Sequence, residues 1–334
     1  MSVKSHIKTL SMALTIALAS CSSADKAAAG APTDTFAEQG AFSADSALAF
    51  TKAQTDLGPR VPGSDAHARC VDFLTGTLNR LGADSVAILA SKDVAWDGTH
   101  LNIKNIWAQF NRTASARVLL VAHYDSRPWA DREDDLDARN TPIDGANDGA
   151  AGVGIILEIA RNIAAQPASV GVDILFTDCE DYGIRADRET EDDSQDSWCI
   201  GSRHFAVNSP YSPAARPRFG ILLDMVSGKN ARFHREYYSQ NYAPMPTAKV
   251  WAMARRMGFQ NRFLDGVGGA VMDDHIHLIQ AGIPTVDVIE NRAADTEGFP
   301  ATWHTHNDTY DNLDPVSMDI VGRVILNVIY NEKP

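Results

Sequence analysis

Apolar runs bounded by polar residues recur along the chain at Ile103–Phe110, Val118–Ala122, Val172–Phe176, Phe219–Leu223 and Thr285–Ile289. Their lengths suit strands buried on both faces, as in a sheet covered by helices. Between them the apolar positions change to a helical period. Ala66–Leu81 is amphipathic, and so is Thr247–Met257. Gly152–Ala164 carries Val153, Ile156, Leu157, Ile159 and Ala160 on one stripe. Near the end, Asp314 followed by Pro315 reads as an N-cap with proline in the first helical position. Ile320, Val321, Val324, Ile325, Val328 and Ile329 then continue as a core-facing stripe. This alternation predicts an α/β, single-domain sandwich with a mostly parallel (mixed) central sheet flanked by helices, assigned to residues 42–334.

The start of the chain is different. Lys4 and Lys8 precede the apolar stretch Leu10–Ala19, which is too short for a membrane span and suits a signal-peptide core. Leu18-Ala19-Ser20-Cys21 resembles a bacterial lipobox, in which cleavage precedes the cysteine and a lipid on its thiol becomes the anchor. The reading is a leader over 1–20, lipidation at Cys21 and a flexible Ala-, Ser-, Asp- and Thr-rich tether over 21–41. It implies an exported lipoprotein of the bacterial cell envelope, with Ser22 pointing to the outer membrane. No apolar run reaches the ~18 residues of a span, so the lipid is the expected membrane contact.

Composition narrows the partners. The chain has 334 residues, 43 acidic against 30 basic side chains and a formal charge of −13, which argues against nucleic acid. Export permits thiol oxidation. Cys70 lies on the amphipathic helix and reads as a buried small hydrophobe, whereas Cys179 and Cys199 flank one loop and are expected to form a disulfide. Asp187–Asp196 reads as a solvated acidic surface segment.

The candidate chemistry follows the strands. Val118–Ala122 runs into His123, Val172–Phe176 into Glu180 and Asp181, and Phe219–Leu223 into Asp224. The carboxyl ends of parallel strands share one rim, where ligands bind. Asp148 follows a small-residue turn just before a helix, and Asp273-Asp274-His275 and Trp303-His304 add to the set. Singly, each has a plain reading: Asp148 caps its helix, His123 is a hydrogen-bonded strand end, Glu180-Asp181 is a solvated pair. Gathered at one edge, they would repel and desolvate one another without a cation. Mixed His, Asp and Glu ligands suit a catalytic Zn²⁺, although manganese or cobalt would satisfy much the same set.

This spaced set resembles the zinc exopeptidase superfamily of aminopeptidases, and within it the animal-type glutaminyl cyclases. The matching pieces are LGPRVPGS at 57–64, HYDSR at 123–127, GANDGA at 145–150, GSRHFA at 201–206, GGAVMDDHI at 268–276, AGIP at 281–284 and WHT at 303–305. The resemblance implies zinc on Asp148, Asp181 and His304, one ion or two. It implies Glu180 as general acid/base, Asp224 and Asp273 as supporting acids, and Trp303 beside the substrate. His123 and His275 are implied as second-metal or supporting residues. Asp181 stands where the animal enzymes have glutamate, Met272 where they have a polar residue, and Arg127 where they have lysine. The implied activity converts the N-terminal glutamine of peptides or proteins to pyroglutamate, and a monomer is expected. A two-zinc aminopeptidase and a non-catalytic peptide-binding lipoprotein are the other readings these residues allow.

Overall fold

A computed structural model describes residues 36–188, 197–291 and 298–334. The leader, Cys21 and residues 189–196 of the acidic segment lie outside the described residues. In chain order the elements are α1 (Ala44–Thr55), α2 (Asp65–Arg80), β1 (Ser85–Val94), β2 (His100–Phe110), β3 (Arg117–His123), α3 (Ala151–Ala165), β4 (Gly171–Thr177) and α4 (Ile200–Val207). They continue with β5 (Phe219–Asp224), β6 (Phe233–Arg235), α5 (Tyr237–Tyr242), α6 (Pro244–Arg256), β7 (Phe263–Val267), α7 (Asp274–Gln280), β8 (Thr285–Ile289) and α8 (Pro315–Tyr330).

Six strands form the central sheet in the order β1-β2-β4-β3-β5-β8. β4, β3, β5 and β8 run parallel, while β1 and β2 are antiparallel at one edge. Every residue of β3, β4 and β5 is buried, which is why these segments read as continuous apolar runs rather than alternating ones. The two-residue strand period sends Val118, Leu120 and Ala122 to the core beneath α2, α3 and α8, and Leu119 and Val121 to a smaller core with Phe205 of α4 and Leu278 of α7. Helices therefore cover both faces, and the carboxyl ends of β4, β3 and β5 emerge side by side at one rim.

Two local findings refine the sequence reading. Residues 36–41, taken from composition as the end of the tether, are held against the body. Gln39 N–H donates to Asn327 Oδ1 at 2.8 Å, Ala41 N–H donates to Asn162 Oδ1 at 2.7 Å, and Arg323 pairs with Glu38. Side-chain carbonyls on α8 and α3 create this docking, and composition carries no trace of them. Cys70 is fully buried, as expected of a small hydrophobe on α2.

Asp314 caps α8 as the sequence indicates: its carboxylate accepts Val316 N–H at 3.0 Å, Asn230 N–H at 3.1 Å and the Ser317 hydroxyl at 2.8 Å. Partial burial pushes its pKa up, but these donors win and hold it below the ordinary carboxylate value. A depressed carboxyl contributes stability above its unfolded pKa and loses it as pH falls through the folded one. Asp314→Ala should therefore lower folding stability by about 1 kcal/mol near neutral pH. In denaturant titrations the gap to wild type should close as pH falls below about 4.

Candidate active site

The rim is assembled by chain geometry that only certain residues permit. β3 ends at His123, β4 leads through Asp178 and Cys179 to Glu180 and Asp181, and β5 ends at Asp224. Asp148 sits in a kink before α3, between Gly145 at φ 57° and Gly149 at φ 98°. A side chain at Gly149 would place its Cβ 2.8 Å from His123 Cε1 and 2.9 Å from the Asp125 carbonyl oxygen. Glycine is thus required both for the turn and for the close approach to His123. Two carboxylates, Asp308 and Asp125, staple the loops. Asp308 accepts Asn147 N–H at 2.8 Å and Asp148 N–H at 3.0 Å. Asp125 accepts Glu180 N–H at 3.2 Å and Asp181 N–H at 3.1 Å.

Asp148, Asp181 and His304, all buried, offer ligand atoms that lie within 4.8 Å of one another. His304 Nε2 is 3.3 Å from Asp181 Oδ1 and 3.7 Å from Asp148 Oδ2. Ligand atoms around a tetrahedral zinc lie roughly 3.4 Å apart, given bonds of about 2.0–2.2 Å. Asp148 Oδ2 and Asp181 Oδ2 are also buried without a hydrogen-bond donor. Spacing, donor types and orphaned oxygens all fit a divalent cation. A second set shares Asp148: His123 Nε2 lies 3.0 Å from Asp148 Oδ1 and 3.2 Å from Asp224 Oδ1. His275 stands apart from both. Its Nε2 lies 3.1 Å from Glu236 Oε2, and it groups with Asp273 and Asp287, so its position fits support rather than the set around Asp148.

Glu180 borders a cavity of about 320 Å³ together with Asp148, Asp181, Asp224, Asp273 and His304. Burial pushes the Glu180 pKa well above the glutamate range, and the charges of Asp273, Asp181 and Asp274 add to it against the pull of His123. Burial and the Asp148 charge likewise raise Asp224 to about 6, and burial with Asp224 and Asp274 lifts Asp273 well above its usual value. Trp303 stacks on His304 at 3.9 Å between ring centroids and packs against Phe299 at 4.6 Å. Trp198 lies parallel to the same imidazole at 5.9 Å. Two non-glycine residues that line the cavity are in left-handed conformation, Met225 (φ 46°) and His304 (φ 56°), as are Cys179 (φ 56°) and Cys199 (φ 55°), whose main chains bond beside Glu180.

The expected disulfide is not formed. Cys179 and Cys199 are both free. Their main chains are neighbours, with Cys199 N–H bonded to the Glu180 carbonyl and Ile200 N–H to that of Cys179, but their sulfurs enter different surroundings. Cys179 packs with Leu101, Ile103 and Ile200, whereas Cys199 Sγ lies 3.1 Å from Glu180 Oε1. Asp131 was not singled out in the sequence, yet its Oδ1 lies 3.3 Å from His304 Nδ1 while Arg127 donates to both of its oxygens. Asp125 and Asp308 were missed for the same reason: nothing local distinguishes an acid that orients a ligand loop from any other acid.

The sequence pattern of Peptidase family M28 matches residues 105–329. The chain belongs to that family. Among solved M28-type folds, it is similar to a glutaminyl cyclase from Tannerella forsythia, with 46% identity, a TM-score of 0.83, and coverage of 87% of this chain and 99% of that one. It is also similar to a Zn-dependent exopeptidase from Parabacteroides distasonis, at 42% identity, TM-score 0.83 and the same coverage. A curated relative, glutaminyl-peptide cyclotransferase from Bos taurus, is 25% identical over 309 residues, covering 81% of this chain and 79% of its own. The resemblance carried by the sequence motifs is borne out, and so is the predicted fold class. Gly149→Ala should destabilise this M28 fold by about 1–3 kcal/mol, because the alanine must adopt a positive φ and meet His123. Chemical denaturation measures it.

Proposed function

We propose that this chain is a zinc-dependent glutaminyl-peptide cyclotransferase, converting the N-terminal glutamine of peptides or proteins to pyroglutamate and ammonia. The carrying observation is Glu180 beside Asp148, Asp181 and His304 in one cavity walled by Trp303 and Trp198, in a chain 46% identical to a bacterial glutaminyl cyclase. Asp148, Asp181 and His304 would hold one zinc ion. Bound there, zinc supplies Lewis-acid polarisation of the γ-carboxamide.

The remaining work falls to the protein. A bond forms between the α-amino nitrogen and the γ-carbon, and the bond from that carbon to the amide nitrogen breaks. One proton must leave the attacking amine and another must reach the departing nitrogen. Glu180 accepts the first and delivers it as the second, and so returns unchanged. Its upward-shifted pKa suits a carboxyl that holds a proton between two events. Asp273 supports that shift, and Asp224 and Asp273 give the α-amine of an arriving substrate an acidic surrounding. Both reacting groups belong to one residue, so orientation rather than encounter is the need, and the aromatic wall provides it. Trp303, Phe299 and Trp198 also exclude the water that would hydrolyse the amide.

The His123–Asp148–Asp224 set favours a second reading, a two-zinc aminopeptidase in which Glu180 activates water. Mass spectrometry of a glutamine-initiated peptide separates the two: ammonia loss at constant length supports the cyclase, and a peptide shortened by one residue replaces it with the aminopeptidase. Chelation should abolish turnover and added zinc restore it, with metal analysis giving one ion per chain. Glu180→Gln should keep that ion and lose turnover. Asp131→Ala should weaken zinc affinity by about 10–100-fold through a misoriented His304, read by competition with a chromogenic chelator. The proposal extends to location, as a lipoprotein anchored in the bacterial outer membrane. Metabolic labelling with a fatty acid should mark the wild-type chain and miss Cys21→Ser.

A further inference from the structure

Glu180 is held at three points. Its N–H donates to Asp125, its carbonyl accepts Cys199 N–H at 3.0 Å, and its side-chain Oε1 lies 3.1 Å from Cys199 Sγ. The last contact pairs a fully buried thiol with the carboxylate that borders the cavity. Cys199 reaches it from a left-handed backbone conformation, φ 55°, which a residue with a Cβ adopts only at an energetic cost. Burial and the neighbouring Glu180 charge push the Cys199 thiol well above its ordinary range, so the sulfur carries its proton and is a donor, not a thiolate.

We infer that Cys199 is a positioning residue for Glu180: its S–H donates to Oε1 and fixes the rotamer in which the carboxylate meets the substrate amine. A thiol suits the task. It is a weak donor, so it orients the carboxylate without holding its charge as firmly as a hydroxyl or guanidinium would, and the carboxylate stays basic enough to take a proton. A disulfide with Cys179 would remove this donor, and both thiols are free. The inference rests on the cyclase reading for its kinetic part and on geometry alone for the contact itself.

Two measurements test it. The first needs no substrate. The S–H stretching band of Cys199, assigned in the infrared spectrum by its loss in Cys199→Ser, should move in Glu180→Gln. An unmoved band means the contact does not exist and overturns the inference, whatever the protein turns over. The second compares kcat and KM, scaled to folded protein, for cyclisation of a glutamine-initiated peptide. Cys199→Ala should lower kcat about tenfold, the loss expected of one hydrogen bond to a charged group, with KM within about twofold. Cys199→Ser, which keeps a donor, should recover most of that loss. A site that merely needed filling would rank the variants the other way, because a hydroxyl in an apolar hole is worse than a methyl. Equal kcat in Cys199→Ala and wild type, or an activity in Cys199→Ser no better than in Cys199→Ala, would defeat the inference. Absence of ammonia release by wild type would instead defeat the cyclase reading and leave the infrared arm to decide the contact.

Discussion

Like charges buried together are the constraint around which the rest of the molecule is arranged. Asp148, Asp181, Asp224, Glu180 and Asp273 line one cavity, and each carboxylate raises the free energy of ionising the next. Two imidazoles, His123 and His304, relieve part of this. A divalent cation would relieve more, since the buried oxygens of Asp148 and Asp181 that lack a donor are placed to share it. Everything that positions these groups, from the parallel strands to the glycine kink before α3, serves to keep mutually repelling side chains within a few ångströms.

The scaffold achieves this with further acids rather than fewer. Asp308, Asp125 and Asp131 each turn their oxygens on N–H groups, a guanidinium or an imidazole, so their charge is spent on holding the groups that line the cavity. Arg127, fully buried, completes this outer layer through Asp131 and the carbonyls of Asp181 and Ile184. An acidic overall composition is therefore not only a surface property of this chain. Part of it is built into the interior, where every acid of the outer layer has a named donor.

Much of this was legible in the sequence, and the failures have physical causes. β3, β4, β5, β8 and the long helices α2, α3 and α8 announced themselves because full burial forces unbroken apolar runs or a clear helical stripe. β1 did not: as an antiparallel edge strand it alternates between exposed and half-buried positions and is built from Ala, Ser, Lys and Asp as much as from β-branched residues. α5 and α7 are too short to show a period. His123, Glu180, Asp181 and Asp224 were legible because they follow apolar runs at the same rim, whereas Asp148 and His304 stood out through the motifs GANDGA and WHT. The acids that orient them were not, since a role exercised through a hydrogen bond across the fold leaves no mark on local spacing. The Cys179–Cys199 expectation failed in the same way: proximity of two backbones says nothing about the direction of two side chains.

The distribution of left-handed residues has an evolutionary corollary. Among the described residues, the non-glycine positions with positive φ include Asn111 and Asn230, a residue type that tolerates this conformation. Of the other four, Met225 and His304 line the cavity, Cys199 touches Glu180 and Cys179 precedes Glu180 in the chain. Conformational discomfort is thus concentrated in the cavity lining and in the segments that carry Glu180. Selection for heat resistance alone would find its easiest gains by relaxing these four positions, and would dull the enzyme while hardening the protein.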